Sequence, residues 1–118
     1  MVIVEVDDKK ATEISDALFI GGEVHLQSLI GKGHTDQVGV AMVNFSAGAR
    51  TRLHTHTQEQ VLFVTRGKGI VATADKEHVV TPGTLIFIPA NEPHWHGAGK
   101  DGPFSHLSVA RGQMHITE

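Results

Sequence analysis

The sequence predicts a single all-β domain, a sandwich or a barrel. Three observations carry this. The apolar runs are short and rich in β-branched residues, glycines and prolines punctuate them every 8–12 residues, and hardly any stretch keeps a helical period. A length of 118 residues is one domain, and 40% apolar against 19% charged residues is a globular balance rather than a disordered one.

Taken in order, the first expected strand is Val2–Val6, a β-branched run at the N-terminus. One short helical turn is expected within Ala11–Leu18, with Thr12 as its cap. Gly21-Gly22 then opens a strand at Glu23–Leu29, and the Gly31–Gly39 region separates it from Val38–Phe45. Gly48 precedes Arg50–His56, and Gln60–Thr65 runs up to Gly67. Further strands are expected at Gly69–Ala74, His78–Thr81, Leu85–Ile88, His94–His96 and Ser105–Arg111. Pro82 and Pro89 fall at strand borders, where a missing N–H does no harm. The layout is one domain over 1–118, with an arm at 1–18, a core at 19–111 and a tail at 112–118.

Composition excludes several classes of function. Ten Lys+Arg against 13 Asp+Glu give a net charge of −3, and no basic block is present, so nucleic acid is not an expected partner. No apolar run approaches the ~18–20 residues of a membrane span. MVIVEVDDKK lacks a basic region ahead of its apolar stretch, so it does not read as a signal peptide and the cytoplasm is expected. The absence of Cys rules out disulfides and thiolate metal sites. Nine histidines stand against no Tyr and one Trp, and chemistry is expected among them.

Two stretches concentrate it. In GARTRLHTHTQEQVLFVTRG, Gly48 to Gly67, His54 and His56 are two apart, which puts both imidazoles on one face of a strand. Regular alternation would add Arg50 and Arg52 to that face. Gln60 shares the face of Leu62 and Val64, and a tight turn at Thr57–Glu59 would bring it beside the histidines. In PGTLIFIPANEPHWHGAG, Pro82 to Gly99, His94 follows two prolines and His96 is again two residues on, beside Trp95. Three imidazoles and an amide oxygen suit one divalent transition metal. Such ligands carry no charge, so the ion keeps its full +2; this predicts weaker retention but a stronger pull on a bound hydroxyl than a carboxylate in place of Gln60 would give. Alternation along Phe104–Ala110 puts His106 inward with Ser108 and Ala110. His25, His34, His78 and His115 fit no motif and read as surface residues.

These spacings resemble those of the cupins. Gly48, His54, His56, Gln60 and Gly67 fit the pattern G-x5-H-x-H-x3-E-x6-G, with Gln in place of Glu. Gly83, Pro89, Asn91, His94 and Ala98 fit G-x5-P-x-G-x2-H-x3-N, with Asn in the glycine slot and Ala in the last. Asn tolerates the left-handed conformation that glycine adopts freely. GARTxxHTH, HWHGA and Ser105-His106-Leu107 are similar to the small single-domain cupins of the bacterial hydroxynitrile-lyase-like group, over about Phe19 to Val109.

The resemblance implies a jelly-roll β-barrel (double-stranded β-helix) and a homodimer. It implies a metal held by His54, His56, Gln60 and His94: Mn first, with Fe, Zn, Ni or Cu as the others. It further implies His106 as an acid/base group, with His96 and Thr51 in the catalytic set and a pocket of Ala41, Val43, Arg52, Leu62, Trp95 and Ala110. The expected activity is a Lewis-acid lyase reaction on a small hydroxyl or carbonyl substrate. A quercetinase-like dioxygenase and a non-catalytic ligand-binding barrel are the two rival expectations.

Overall fold

A computed structural model describes all 118 residues. Thirteen strands follow one another: β1 Thr12–Glu13, β2 Phe19–Ile20, β3 Val24–Ile30, β4 Gly39–Phe45, β5 Arg50–Thr51, β6 His54–His56, β7 Gln60–Gly67, β8 Gly69–Ala72, β9 Glu77–Val80, β10 Leu85–Ile88, β11 Trp95–Ala98, β12 Phe104–Ala110 and β13 Met114–Ile116. All pairings are antiparallel. A six-stranded sheet runs β1-β3-β4-β12-β7-β10, a five-stranded sheet runs β2-β5-β11-β8-β9, and β6 pairs with β13. The two large sheets enclose one core, giving the jelly roll. No helix is long and apolar enough to cross a membrane.

The core is where strand alternation predicts it. Gln60, Leu62 and Val64 of β7 are buried, while Phe63 between the last two and Thr65 just beyond them are exposed. Phe45, Phe104, Leu62, Val64 and Val24 are at most 1% exposed and form the centre of the cluster. Two backbone features shape the ends. Gly67 has φ +73, and a Cβ there would lie 2.1 Å from the Pro103 carbonyl oxygen, so this corner between β7 and β8 admits only glycine. Asn91, in the slot where the motif has glycine, adopts φ 65.

Three expectations are corrected. Val2–Val6 is not a strand: the arm lies exposed, tied to β3 where Gln27 Nε2 donates to the Glu5 carbonyl at 3.1 Å and Asp7 N–H donates to Gln27 Oε1 at 2.9 Å. It meets β3 through the Gln27 side chain rather than through a backbone ladder. Ala11–Leu18 holds no helix; a single 3-10 turn lies earlier, at Asp8–Lys10, and β1 falls inside the range. Arg50–His56 is not one strand but two, broken at Arg52–Leu53. The 112–118 segment carries β13, which lies along β6.

Candidate metal centre

The break at Arg52–Leu53 determines which side chains face inward. In an unbroken strand Arg52 would share the face of His54. Instead Thr51 is fully buried and His54 is 1% exposed, while Arg52 turns outward and donates from Nε to the Ala17 carbonyl at 2.8 Å. Arg52 therefore does not line the pocket. Its carbonyl oxygen accepts from the His54 ring at Nδ1, 2.8 Å away. His94 does the same with the Glu92 carbonyl, also at 2.8 Å. A carbonyl only accepts, so both rings carry their proton on Nδ1 and present the Nε2 lone pair to the interior.

Backbone bonds between His54 and His94, 2.9 and 3.0 Å long, hold the two segments side by side. The ring centroids lie 4.3 Å apart. His96 stacks on His94 at 5.7 Å and 13°, and the ligating atoms of His54, His94 and His96 all lie within 4.8 Å of one another. His56 stands at the border of this group, its ring 5.2 Å from His54 and 5.8 Å from His94. The sequence reading placed His56 among the ligands and His96 among the catalytic residues; the structure brings His96 close to His54 and His94 as well. The second H-x-H is the signal that carried this information.

Gln60 Nε2 donates to Ser108 Oγ at 3.0 Å, which turns Gln60 Oε1 toward His94 Nε2, also 3.0 Å away. With Oε1 so placed, two lone pairs meet at close range, a contact that a cation between them would make favourable. Two donors each ~2.1 Å from one ion and at a right angle are ~3.0 Å apart. His56 Nε2 and His96 Nε2 are buried without hydrogen-bond partners, a costly state that a cation also resolves. The donor set fits a divalent transition metal.

Protonation is arranged in the same sense. Burial, followed by His94, lowers the His54 pKa from 6.5 to about 4. Burial and then His94 also lower His56 to about 4. Burial lowers His94, and it takes His96 well below the ordinary value, reinforced by His106. All four are neutral at pH 7, the form that binds metal.

Behind His96 lies His106, fully buried, with its Nε2 2.9 Å from His96 Nδ1. One N–H is shared between these two atoms. Phe45 and Phe104 pack on His106 at 5.4 and 5.7 Å, and burial lowers its pKa to about 4. His106 Nδ1 is without a partner. Thr51 Oγ1 accepts from the His96 backbone N–H at 3.1 Å, so Thr51 fixes the position of His96.

The histidines open into a cavity of about 190 Å³. Ala41, Val43 and Ala110 line it as the sequence reading had them; Leu18, Phe19, Leu26, Ser108 and Met114 complete it. Of the remaining pocket candidates, Leu62 lies in the core, and Trp95 lies outside under the Arg50 guanidinium, 4.1 Å from its ring centre. Leu18, Phe19 and Met114 stand in segments that the sequence marked as arm, tail or border. A larger cleft of about 640 Å³ lies at the other end of β4, β7 and β12, edged by Asp8, Arg66, Lys68 and Asp101, away from the buried histidines.

Comparison with known proteins agrees with this geometry. Residues 41–110 match the family model for the cupin domain. An (R)-mandelonitrile lyase of Granulicella tundricola is 35% identical over 92 residues, covering 75% of this chain and 68% of the lyase. An acireductone dioxygenase of Gluconobacter oxydans is 30% identical over 108 residues, covering 82% of this chain and 55% of the dioxygenase. The chain thus spans about two thirds of the first relative's length and about half of the second's. The crystal structure of a cupin-like protein from Thermotoga maritima superposes with a TM-score of 0.87 at 29% identity, over 96% of this chain and 89% of the other. Two motifs in register, a jelly roll and a converging set of neutral imidazoles make this chain a member of the cupin family.

Proposed function

We propose that this chain is a divalent-metal-dependent lyase of small hydroxyl or carbonyl compounds. The observation that carries the reading is the His96–His106 pair: two buried neutral imidazoles joined at 2.9 Å, between the metal-capable group and an apolar wall. His54, His56, Gln60 and His94 would hold the ion, with His96 against them. Mn is the first expectation and Fe, Zn, Ni or Cu the others. A divalent ion there supplies a Lewis acid toward a substrate oxygen.

The chain's own residues handle the proton. Both imidazoles are neutral at pH 7, so the pair accepts a proton rather than donating one at the outset. A proton taken at the outer nitrogen, His106 Nδ1, is matched by transfer of the shared N–H across the 2.9 Å bond to His96 Nδ1. His106 is thus the acid/base group acting together with His96. In the cleavage of a cyanohydrin, the pair takes the hydroxyl proton and the C–C bond to the nitrile breaks. The carbonyl forms, cyanide leaves with the electron pair, and the stored proton returns to it as HCN. The 190 Å³ cavity is below the ~300–1,000 Å³ of drug-sized pockets, which suits a substrate of one ring or fewer. The lyase relative, named for mandelonitrile, supports this choice.

The test is cyanide release from mandelonitrile by Mn-loaded protein, with metal-stripped protein and His106→Leu as controls. Release that falls to background in both controls is expected. No release above the stripped control refutes the lyase reading. The likeness to acireductone dioxygenase favours a second reading, oxygen chemistry at the same centre; oxygen uptake with a diketone or flavonol, in place of cyanide release, selects it. We place the protein in the cytoplasm as a homodimer. In support of the dimer, Phe63, Leu85, Phe87 and Val79 are 40–67% exposed, and Phe63 and Leu85 are direct cross-strand partners at the β10 edge.

A further inference from the structure

Strand β6 carries His54 and His56 and belongs to neither large sheet. On one side the His54–His94 backbone bonds and the Asn91 N–H to His56 carbonyl bond, 2.8 Å, hold it. On the other side it has only the segment Gly112–Glu118. Met114 stands opposite His56, His115 opposite Thr55 and Ile116 opposite His54. The contact extends past both ends of the ladder. Thr57 N–H donates to the Gln113 carbonyl at 2.9 Å, and Gln113 N–H donates to Thr57 Oγ1 at 2.8 Å. Thr117 N–H donates to the Leu53 carbonyl at 3.0 Å, its hydroxyl to the same oxygen at 3.3 Å, and Leu53 N–H donates to the Glu118 carboxylate.

None of the seven residues Gly112 to Glu118 is buried, and none belongs to the core cluster. The segment therefore contributes little to the hydrophobic core. What it does hold is Leu53, the second residue of the break. The first residue, Arg52, supplies the carbonyl that fixes the His54 proton on Nδ1.

We propose that Gly112–Glu118 is a positioning strap for the metal centre, and that the Thr117 N–H to Leu53 bond is its key contact, holding the Arg52 carbonyl under the His54 ring. The proposal rests on the metal-centre reading above. Thr117 touches no substrate and acts through Leu53 and Arg52 on His54. The Arg52 carbonyl is a partner bonded to a ligand rather than to the ion, and loss of such a partner typically alters metal affinity 10–100-fold.

The experiment compares wild type, Thr117→Pro and Thr117→Val. Proline removes the N–H donor; valine removes only the hydroxyl. Metal-free proteins are titrated with Zn²⁺ and Mn²⁺, their urea midpoints are measured, and the His54 tautomer is read at fixed pH from long-range ¹⁵N–¹H spectra. The expected result is a Kd about tenfold weaker or more for Thr117→Pro, near wild type for Thr117→Val, with urea midpoints little changed. His54 is expected as the pure Nδ1–H form in wild type and Thr117→Val and as a mixture in Thr117→Pro. An unchanged Kd and tautomer in Thr117→Pro overturn the proposal. A large loss of urea stability in that variant overturns it too, because the segment then holds the fold rather than the site. If wild type binds neither ion, the metal reading fails separately, and the tautomer comparison alone decides the strap.

Discussion

Acidification of the metal-stripped protein gives a sharp test of the buried histidine cluster. An unfolded histidine titrates near 6.5, whereas His54 and His106, 1% and 0% exposed, titrate at about 4 in the fold. Between these values the unfolded chain binds protons that the folded chain refuses, so stability falls as pH drops from 6.5 to 4 and levels off below. Going from pH 7 to pH 5, each such group costs about 1.8 kcal/mol, so the two together cost about 4 kcal/mol. His56 and His96 shift in the same direction and add to the effect. Total stabilities of small domains are ~5–15 kcal/mol, so the loss is a large fraction of the whole. The assay is urea unfolding followed by far-UV circular dichroism at pH 7, 6 and 5. With a slope of ~1–3 kcal/mol/M, the midpoint should fall by about 2 M. His106→Leu should lose one group's share of that pH dependence, about 1.8 kcal/mol between pH 7 and pH 5. A midpoint that moves by less than ~0.5 M, or a His106→Leu protein as acid-sensitive as wild type, would refute the burial argument.

Two further outcomes are expected. Gln60→Glu places a carboxylate against His94 and lowers the net charge of the loaded site by one, so the metal should leave more slowly on chelation while cyanide release slows; faster loss of metal would contradict the charge argument. Gly97→Ala places a Cβ 2.4 Å from the Ala49 carbonyl and the Arg50 Cα, forcing β5 from β11 and loosening the Thr51–His96 bond. Overpacking of this kind costs ~1–3 kcal/mol. The melting temperature should therefore drop by about 5–10 °C, and a drop under ~2 °C would show that the strands yield easily.

Much of the architecture follows from alternation alone. Gln60, Leu62 and Val64 point inward together because period two admits no other arrangement on a half-buried strand, and the same rule brings His106, Ser108 and Ala110 to the cavity. The two H-x-H pairs were legible for the same reason. The break at Arg52–Leu53 was not. No glycine or proline marks it, and it depends on partners distant in sequence, Ala17, Leu18 and Thr117. Pattern reading therefore sent Arg52 inward and gave Thr51 no structural reason to be there. The arm misled in the opposite way: VIVEV has strand propensity, but it meets β3 through the Gln27 side chain rather than through a backbone ladder. The His96–His106 bond joins residues ten apart across two sheets, a relation that no local spacing encodes.

The break has a further meaning when counted in residues. Thr51 and His54 are three apart, so a regular strand would turn them to opposite faces; the break takes up the extra residue and lets both face inward. It also acts on the backbone: Arg52 N–H is bound to Leu18, its carbonyl to the His54 ring, and both polar groups of Leu53 to Thr117 and Glu118. Deleting one residue here would displace the carbonyl that locks the His54 tautomer, and replacing Arg52 would remove its side-chain bond to the Ala17 carbonyl. At this point the length of the chain, as well as the identity of one residue, bears on the position of a proton.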